Sequence, residues 1–446
     1  MKSRLPATPL EALSISGVLK FIVQTIHGGA EVFGYWKFPA KNAAADFEEM
    51  SLLDKIYWGY KSKNPIRRGE KGSQFDAFFK NNVKDLSLPV GFMESRQVSF
   101  SAVGDLIKVD GLENSRDKLY EKIANLIFDS DISVANLESQ LTGQDIGAYT
   151  FSAKETPPLC LTPEQYDTLK GHKGKRFTVL HTACNHTLDV GLEGVETTLA
   201  QLDKDHIMDV GTNREPSQQY QGRILEYNAI KFGFVSATLG LNGKTVPPGK
   251  EYIVNVVKFH PGKRKQGTAG KADVDLSLLN RQIAYCRDQG CDIIIASLHW
   301  GYEYEFFPRV HQVVIAHELV ESGVDVVVSH HAHVLQPVEY YRPVRDPERT
   351  AVIAYSLGNL TSSFSAPHLV LSGILQLTFV KGKIDGREKT LIRDAKLIPV
   401  VQRELTEEQV PVIRLETLED FLAAAGEHAE EVKYAEAVKG FADLVL

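Results

Sequence analysis

The feature that most constrains this chain is a set of apolar runs, far apart in sequence, that each stop at a charged or metal-ligating residue. VSFSAVGD ends at Gly104-Asp105 and DISVANLE at Asn136-Leu137-Glu138. FTVLHTACNH ends at Cys184-Asn185-His186, CDIIIASLHW at His299-Trp300, and VDVVVSHHAH at His330-His331-Ala332-His333. Between these runs the periodicity predicts helices near 115–128, 163–171, 189–203, 273–289 and 309–322. Continuous apolar runs alternating with helices describe parallel strands buried on both faces. Further strands are predicted at 207–211, 230–237, 351–359, 370–380 and near 390–400, the later ones with no helix between them. That change of texture implies a second, mixed sheet. The expectation is an α/β fold of two sheets flanked by helices.

In open α/β sheets the carboxyl ends of the strands form the ligand crevice. Five strand ends therefore bring Asp105, Glu138, Asn185, His299, His331 and His333 toward one place. Each has an ordinary reading alone. Asp105 suits a helix cap or turn, Glu138 a solvated ion pair, Asn185-His186 an Asx-turn, and His299 a satisfied core histidine. Taken together they have no structural rationale, because every buried polar group needs a partner. Carboxylates, an amide oxygen and imidazoles without thiolate make a transition-metal donor set, suited to Mn, Fe or Zn rather than Ca. Six such ligands exceed one tetrahedral zinc. They suit two ions sharing a carboxylate, about 3.5–4 Å apart, which activate a water and clamp a displaced oxyanion. His311 and His317 fall on the intervening helix and read as surface or packing residues.

Composition narrows the class. With 50 Lys+Arg against 57 Asp+Glu over 446 residues, the chain lacks the concentrated positive charge that nucleic-acid binding needs. Cys160, Cys184, Cys286 and Cys291 form no CxxC pair, which suits a reducing compartment. The N-terminal stretch is broken by Ser14, Ser16, Lys20 and Gln24, so neither a transmembrane span nor a signal peptide is predicted, and the expected location is cytoplasmic. Residues 10–26 read as an amphipathic helix packed on its own domain, or lying on a membrane or partner. Residues 1–96, with Trp36 and Trp58, read as an irregular, partly helical extension. Residues 97–400 form the main domain, and 401–446, rich in Glu and Ala, a helical C-terminal tail. Residues 260–270 are a basic, glycine-rich loop. Gly243-Lys244-Thr245 lacks the upstream glycine of a P-loop, since Thr238 stands there; Lys244, Lys263 and Lys265 read as a solvated loop, the alternative being that they meet an acidic substrate. Ala354 to Gly358 approximates a nucleophile elbow around Ser356, but a loop follows where a helix is required.

The motifs GD (Gly104-Asp105), NLE (Asn136 to Glu138), ACNHTLDVG (Ala183 to Gly191), LHWGYEY (Leu298 to Tyr304), SHHAHVLQPVE (Ser329 to Glu339) and YSLGN (Tyr355 to Asn359), in this order, resemble the CapA family. Those are capsule and poly-γ-glutamate synthesis proteins of the calcineurin-like metallophosphatase superfamily. The resemblance covers roughly residues 97–400 and implies a four-layer α/β/β/α sandwich with a two-metal site. It implies that Asp105 and His333 hold one metal, that Glu138 bridges, and that Asn185, His299 and His331 hold the second. It makes His186 the general acid, oriented by Asp189, and sets Asn136, Trp300, His330, Ser356 and Asn359 beside the substrate. The chain departs from the wider pattern in three ways. Ile107 stands at the superfamily's Asp-x-His histidine, the bridge is Glu rather than Asp, and SHHAH has Ser329 and Ala332 where Gly and Pro are common.

The function so implied is a metal-dependent hydrolase acting on a phosphoester or a γ-glutamyl amide or peptide, with a small-molecule, peptide or polyglutamate substrate. The alternatives are acid/base chemistry on the same fold, such as peptide epimerisation, and a binding protein with a degraded metal site.

Overall fold

Alternation within each buried strand decides which layer its side chains join. In Ile293–His299, Ile293 and Ile295 face one way while Ile294, Ala296 and Leu298 face the other. In Val326–His330, Val326 and Val328 oppose Val327, and in Ile132–Leu137, Ile132 and Val134 oppose Ala135 and Leu137. Side chains on successive residues of a strand point to opposite faces. One set of faces meets between two sheets and the other set meets helices. The computed structural model describes residues 3–13, 17–142, 156–260, 274–426 and 428–446.

The larger sheet has eight strands. Met93–Leu106 lies at its centre, with Ile132–Leu137, Val179–His181 and Met208–Val210 following in parallel on one side. Leu371–Ile384, Arg387–Glu407 and Val410–Thr417 follow antiparallel on the other, and Asn359–Thr361 pairs with the end of the central strand. The second sheet has six strands, with Ile230–Thr238, Ile293–His299, Val326–His330 and Ala351–Ala354 parallel. Arg223–Tyr227 and Val338–Tyr341 close its edges antiparallel. Helices Ser277–Asp288 and Val310–Ser322 cover the outer face of the six-stranded sheet through Leu279, Ile283, Ile315 and Leu319. Ala124–Phe128 and Pro163–Leu169 cover that of the other. The architecture is the α/β/β/α sandwich.

Register brings the strand ends level. Asp105 pairs with Asn136 and with Asn359, Asn136 with His181, and His299 with His330. A register shift between Ala102 and Asp105 makes room for a close approach, where Asp105 N–H donates to Gly358 O at 2.9 Å. Gly104 is required there: a Cβ would stand 2.0 Å from the Gly358 carbonyl oxygen.

The first 96 residues contain helices Pro9–Ala12, Gly17–Val32, Leu52–Lys63 and Phe75–Lys80. They dock on the sandwich through a bridge between Ile66 and Glu305 and a buried cluster of Tyr57, Lys61, Glu305 and Arg309. The stretch from 401 onward differs from its predicted helix. The strand Arg387–Glu407 runs on into it and Val410–Thr417 pairs back, so helix begins only at Leu418, with Leu418–Ala423 and Ala429–Val445. Glu and Ala content misled there, because VPVIRLET is rich in β-branched residues and pairs as an edge strand, with Val412, Ile413 and Leu415 buried. The predicted 115–128 helix is reduced to a 3-10 turn Leu112–Ser115 and the short Ala124–Phe128. Lys263 and Lys265 lie outside the described residues.

Candidate metal centre

Strand alternation also aims the site. Asn136 and Glu138 share one side while Leu137 between them joins the outer core. Likewise His299 points into the cleft and Trp300 points away, buried against Phe259 with ring centroids 5.1 Å apart. Trp300 is thus a core residue of the helical side, correcting its reading as a substrate contact. His331 and His333 both adopt left-handed backbone, at φ 84° and 55°. Non-glycine residues held there are strained by about 1–3 kcal/mol each, a cost found mostly at functional sites.

The cluster is tight. His299 Nε2 lies 3.5 Å and His333 Nε2 3.7 Å from Glu138 Oε1, and His333 Nδ1 lies 3.5 Å from Asp105 Oδ2. Ligand atoms of Asp105, Glu138 and His299 lie within 4.8 Å of one another, as do those of Glu138, His331 and His333. Asn185 Oδ1 is 2.9 Å from His299 Nε2. The six residues proposed as ligands from sequence therefore converge, and Glu138 belongs to both groups. Around them, His330 Nδ1 lies 2.9 Å from Asp105 Oδ1, and Asn136 Nδ2 donates to the same oxygen at 2.9 Å. Asn359 Oδ1 is 2.8 Å from His333 Nδ1. His330 and Asn136 thus orient Asp105 rather than reaching the cavity, while Asn359 lines it. Ser356 is buried, and its hydroxyl accepts from Gly358 N at 3.2 Å, shaping the turn before Asn359 rather than contacting the cavity. No helix follows it, which removes the nucleophile-elbow reading.

The electrostatics follow from burial. Burial opposes the charge of Asp105, yet hydrogen bonds from His330 and His333 prevail and hold its carboxyl well below the ordinary range. Glu138 is pushed the other way, first by burial and then by the neighbouring Asp105 charge. Burial also opposes the charge of His333, but Glu138, Asp105 and Glu303 outweigh it and raise the ring to about 10. Burial keeps His299 and His331 neutral, the form in which imidazole binds metal. Both oxygens of Glu138 and both nitrogens of His331 are buried without a hydrogen-bond partner. Buried polar atoms left unsatisfied are costly, and divalent cations would satisfy the Glu138 oxygens and one nitrogen of His331, so the donor set fits a metal.

Beside the cluster lies the pair His186 and Asp189. His186 Nδ1 is 2.6 Å from Asp189 Oδ2, which also accepts from Leu159 N at 2.7 Å. The imidazole's Nε2 sits 3.5 Å from Asn242 Nδ2 at the cavity wall. The cavity itself, about 410 Å³, is floored by Asn185, His186, His331, His333 and Asn359 and roofed by the N-terminal extension. Ile107 lines it at the position where the superfamily has histidine.

Two residues of the site escaped the sequence reading. Glu303, in the same GYEY stretch, lines the cavity, approaches His333 Nε2 at 3.9 Å and accepts from the Trp58 indole. Burial raises its carboxyl. Its signal was a carboxylate four residues beyond a strand-end histidine, which has no fixed orientation in a loop. His181 sits behind the cluster, 5.6 Å from His330 between ring centroids, with neither nitrogen partnered. A histidine inside the apolar run FTVLH was its visible sign.

The family described as bacterial capsule synthesis protein PGA_cap matches residues 99–363. Over 322 residues the chain is 26% identical to the PGA biosynthesis protein CapA of Bacillus subtilis, covering 71% of this chain and 77% of that protein. Over 281 residues it is 26% identical to the capsule biosynthesis protein CapA of Bacillus anthracis, covering 61% of each. Among solved structures, the sulfate thiohydrolase SoxB of Thermus thermophilus overlays with a TM-score of 0.25 and 13% identity, covering 60% of this chain and 36% of that one. That overlay is too slight to bear on fold or chemistry.

Proposed function

The chain belongs to the bacterial capsule synthesis family PGA_cap, and from that premise we propose that it is a metal-dependent hydrolase whose centre is Asp105, Glu138, Asn185, His299, His331 and His333. The observation that carries this reading is Glu138, fully buried, with both carboxylate oxygens unpartnered between His299 and His333. In this reading Asp105, Glu138, Asn185, His299, His331 and His333 would together hold the ions, with Glu138 common to both groups of ligand atoms. The ions would be Mn, Fe or Zn. When bound, they supply Lewis-acid polarisation and an acidified water for attack on a phosphoryl or acyl centre.

The chain's own residues do the rest. His330 and Asn136 lock the rotamer of Asp105, and Asn359 that of His333, as partners behind a metal site do. Asp189 takes the Nδ1–H of His186, which leaves Nε2 toward the cavity. In its protonated form the ring delivers that Nε2 proton to the departing oxygen or nitrogen. Residues of the extension line the side of the cavity away from the strand ends. The substrate is a phosphoester or a γ-glutamyl amide, the second following from the relatives named for PGA and capsule biosynthesis. All four cysteines are free, which supports a reducing compartment such as the cytoplasm.

Ile107 favours a second reading, a one-ion centre used for acid/base chemistry or binding, because it withholds a histidine from the first ion. Turnover of p-nitrophenyl phosphate and of γ-glutamyl peptides, with and without chelator, tests the proposal. Chelator-sensitive release of phosphate or glutamate is the expected result. Metal binding without any hydrolysis would overturn it in favour of the second reading.

A further inference from the structure

We propose that this site takes a small amphiphile, a hydrolysable polar head joined to an apolar alkyl, acyl or aromatic group, rather than a stretch of polyglutamate. The inference rests on the hydrolase reading above and specifies its substrate class. The cavity over the metal-ligating residues, about 410 Å³, has the size of a small-molecule pocket. Its polar groups are gathered at the floor, around His186, His331 and His333. Its walls and roof are apolar: Leu10, Ile22, Phe47, Ile56 and Trp58 from the extension, and Phe364 from the sandwich. Ile107 adds an apolar side chain to the floor itself.

Charge points the same way. Among the described lining residues Lys55 is the sole Lys or Arg, and its ammonium sits 4.0 Å over the Phe47 ring. Glu303 adds a carboxylate at the floor. A polyglutamate chain would carry one carboxylate per residue into a chamber whose described walls offer a single Lys or Arg, Lys55, and carboxylates beyond those that the floor can pair would be buried at a strong cost. An apolar group gains from the same walls in proportion to the surface it buries. The mouth suits its entry, since Ile22 and Leu52 line the cavity yet are 47% and 73% exposed.

The test measures binding of ethyl, butyl, hexyl and octyl phosphate, benzyl phosphate and tetra-γ-glutamate to the full chain by calorimetry. It is run once with Mn²⁺ added and once with EDTA. Affinity is expected to rise about fourfold per methylene until the chamber is filled and then level off. Benzyl phosphate should bind at least tenfold more tightly than ethyl phosphate. Ile22→Asp and Leu52→Asp, at partly exposed positions that do not threaten the fold, should weaken octyl phosphate at least tenfold and leave ethyl phosphate unchanged. Equal affinity along the alkyl series, or tetra-γ-glutamate binding more tightly than octyl phosphate, would overturn the proposal. The two readings fail separately. The chain-length dependence must persist in EDTA, whereas a missing Mn²⁺ effect counts only against the metal centre.

Discussion

Glu305→Ala should unlatch the extension that roofs the site. Glu305 accepts four hydrogen bonds in a buried cluster: from Tyr57 Oη at 3.2 Å, Lys61 Nζ at 3.0 Å, and Arg309 Nε and Nη2 at 2.7 and 3.0 Å. Lys61, Glu305 and Arg309 are 3%, 1% and 2% exposed. The two cations do not gain equally. Burial and the nearby Arg309 outweigh Glu305 at Lys61, whose ammonium is held below its ordinary range. Burial also opposes the charge of Arg309, but Glu305 prevails there and holds the guanidinium above its ordinary range. The latch therefore rests chiefly on Glu305 with Arg309. Removing the carboxylate strands two buried cations, with Arg309 keeping the Ala40 carbonyl at 3.0 Å, Glu70 at 3.4 Å and the Tyr302 ring at 4.2 Å. Breaking a buried pair from one side costs about 3–5 kcal/mol. The assay is urea unfolding followed by circular dichroism, with hydrogen exchange to localise the loss. Exchange should quicken first across 40–70 and around Arg309. Burial raises the Glu305 carboxyl, but Arg309 and Lys61 lower it further, so it lies below its ordinary value. Its stabilisation is therefore complete above about pH 4.3, the value of an unfolded glutamate, and is lost as pH falls through the lower folded value. A Glu305→Ala chain within about 1 kcal/mol of the parent, with unchanged exchange across 40–70, would refute this account of the latch.

Three further outcomes are expected. His186→Ala should lower kcat about 100- to 10,000-fold while metal content stays the same, and Asp189→Asn should lower it less; loss of metal in either variant would make the pair structural instead. Gly104→Ala forces a Cβ to 2.0 Å from a backbone oxygen. It should destabilise at or beyond the top of the roughly 1–3 kcal/mol typical of overpacking, read by urea unfolding. Ile107→His should raise the number of bound ions per chain or tighten the weaker one, read by metal analysis under limiting metal.

What could be read from sequence was whatever a buried strand imposes. Ile293 to Leu298 is buried on both faces and apolar but for Ser297, so His299 at its end stands out, and the same logic exposes Asp105, Glu138 and His331. Strand alternation, applied strictly, would also have turned Trp300 away from the site and made Asn136 a neighbour of Glu138. The rest depended on contacts between distant segments. Glu303 lies in an irregular loop, and nothing local links it to Trp58. The apolar roof arises because helices of the first 96 residues fold over the strand ends, and their amphipathic pattern does not say what they cover. The C-terminal strands were obscured by composition: the end of Arg387–Glu407, with Glu404 and Glu407, resembles a solvated helix until its edge partner Val410–Thr417 is known.

Metal analysis of the purified full chain, beside the His299→Ala and His331→Ala variants, tests the central claim most directly. The full chain is expected to hold at least one divalent ion tightly, with loss of one or more ions in each variant and an unchanged far-ultraviolet dichroism spectrum. A parent chain that binds no divalent ion when Mn²⁺, Fe²⁺ and Zn²⁺ are supplied, or variants that keep the full complement, would contradict it.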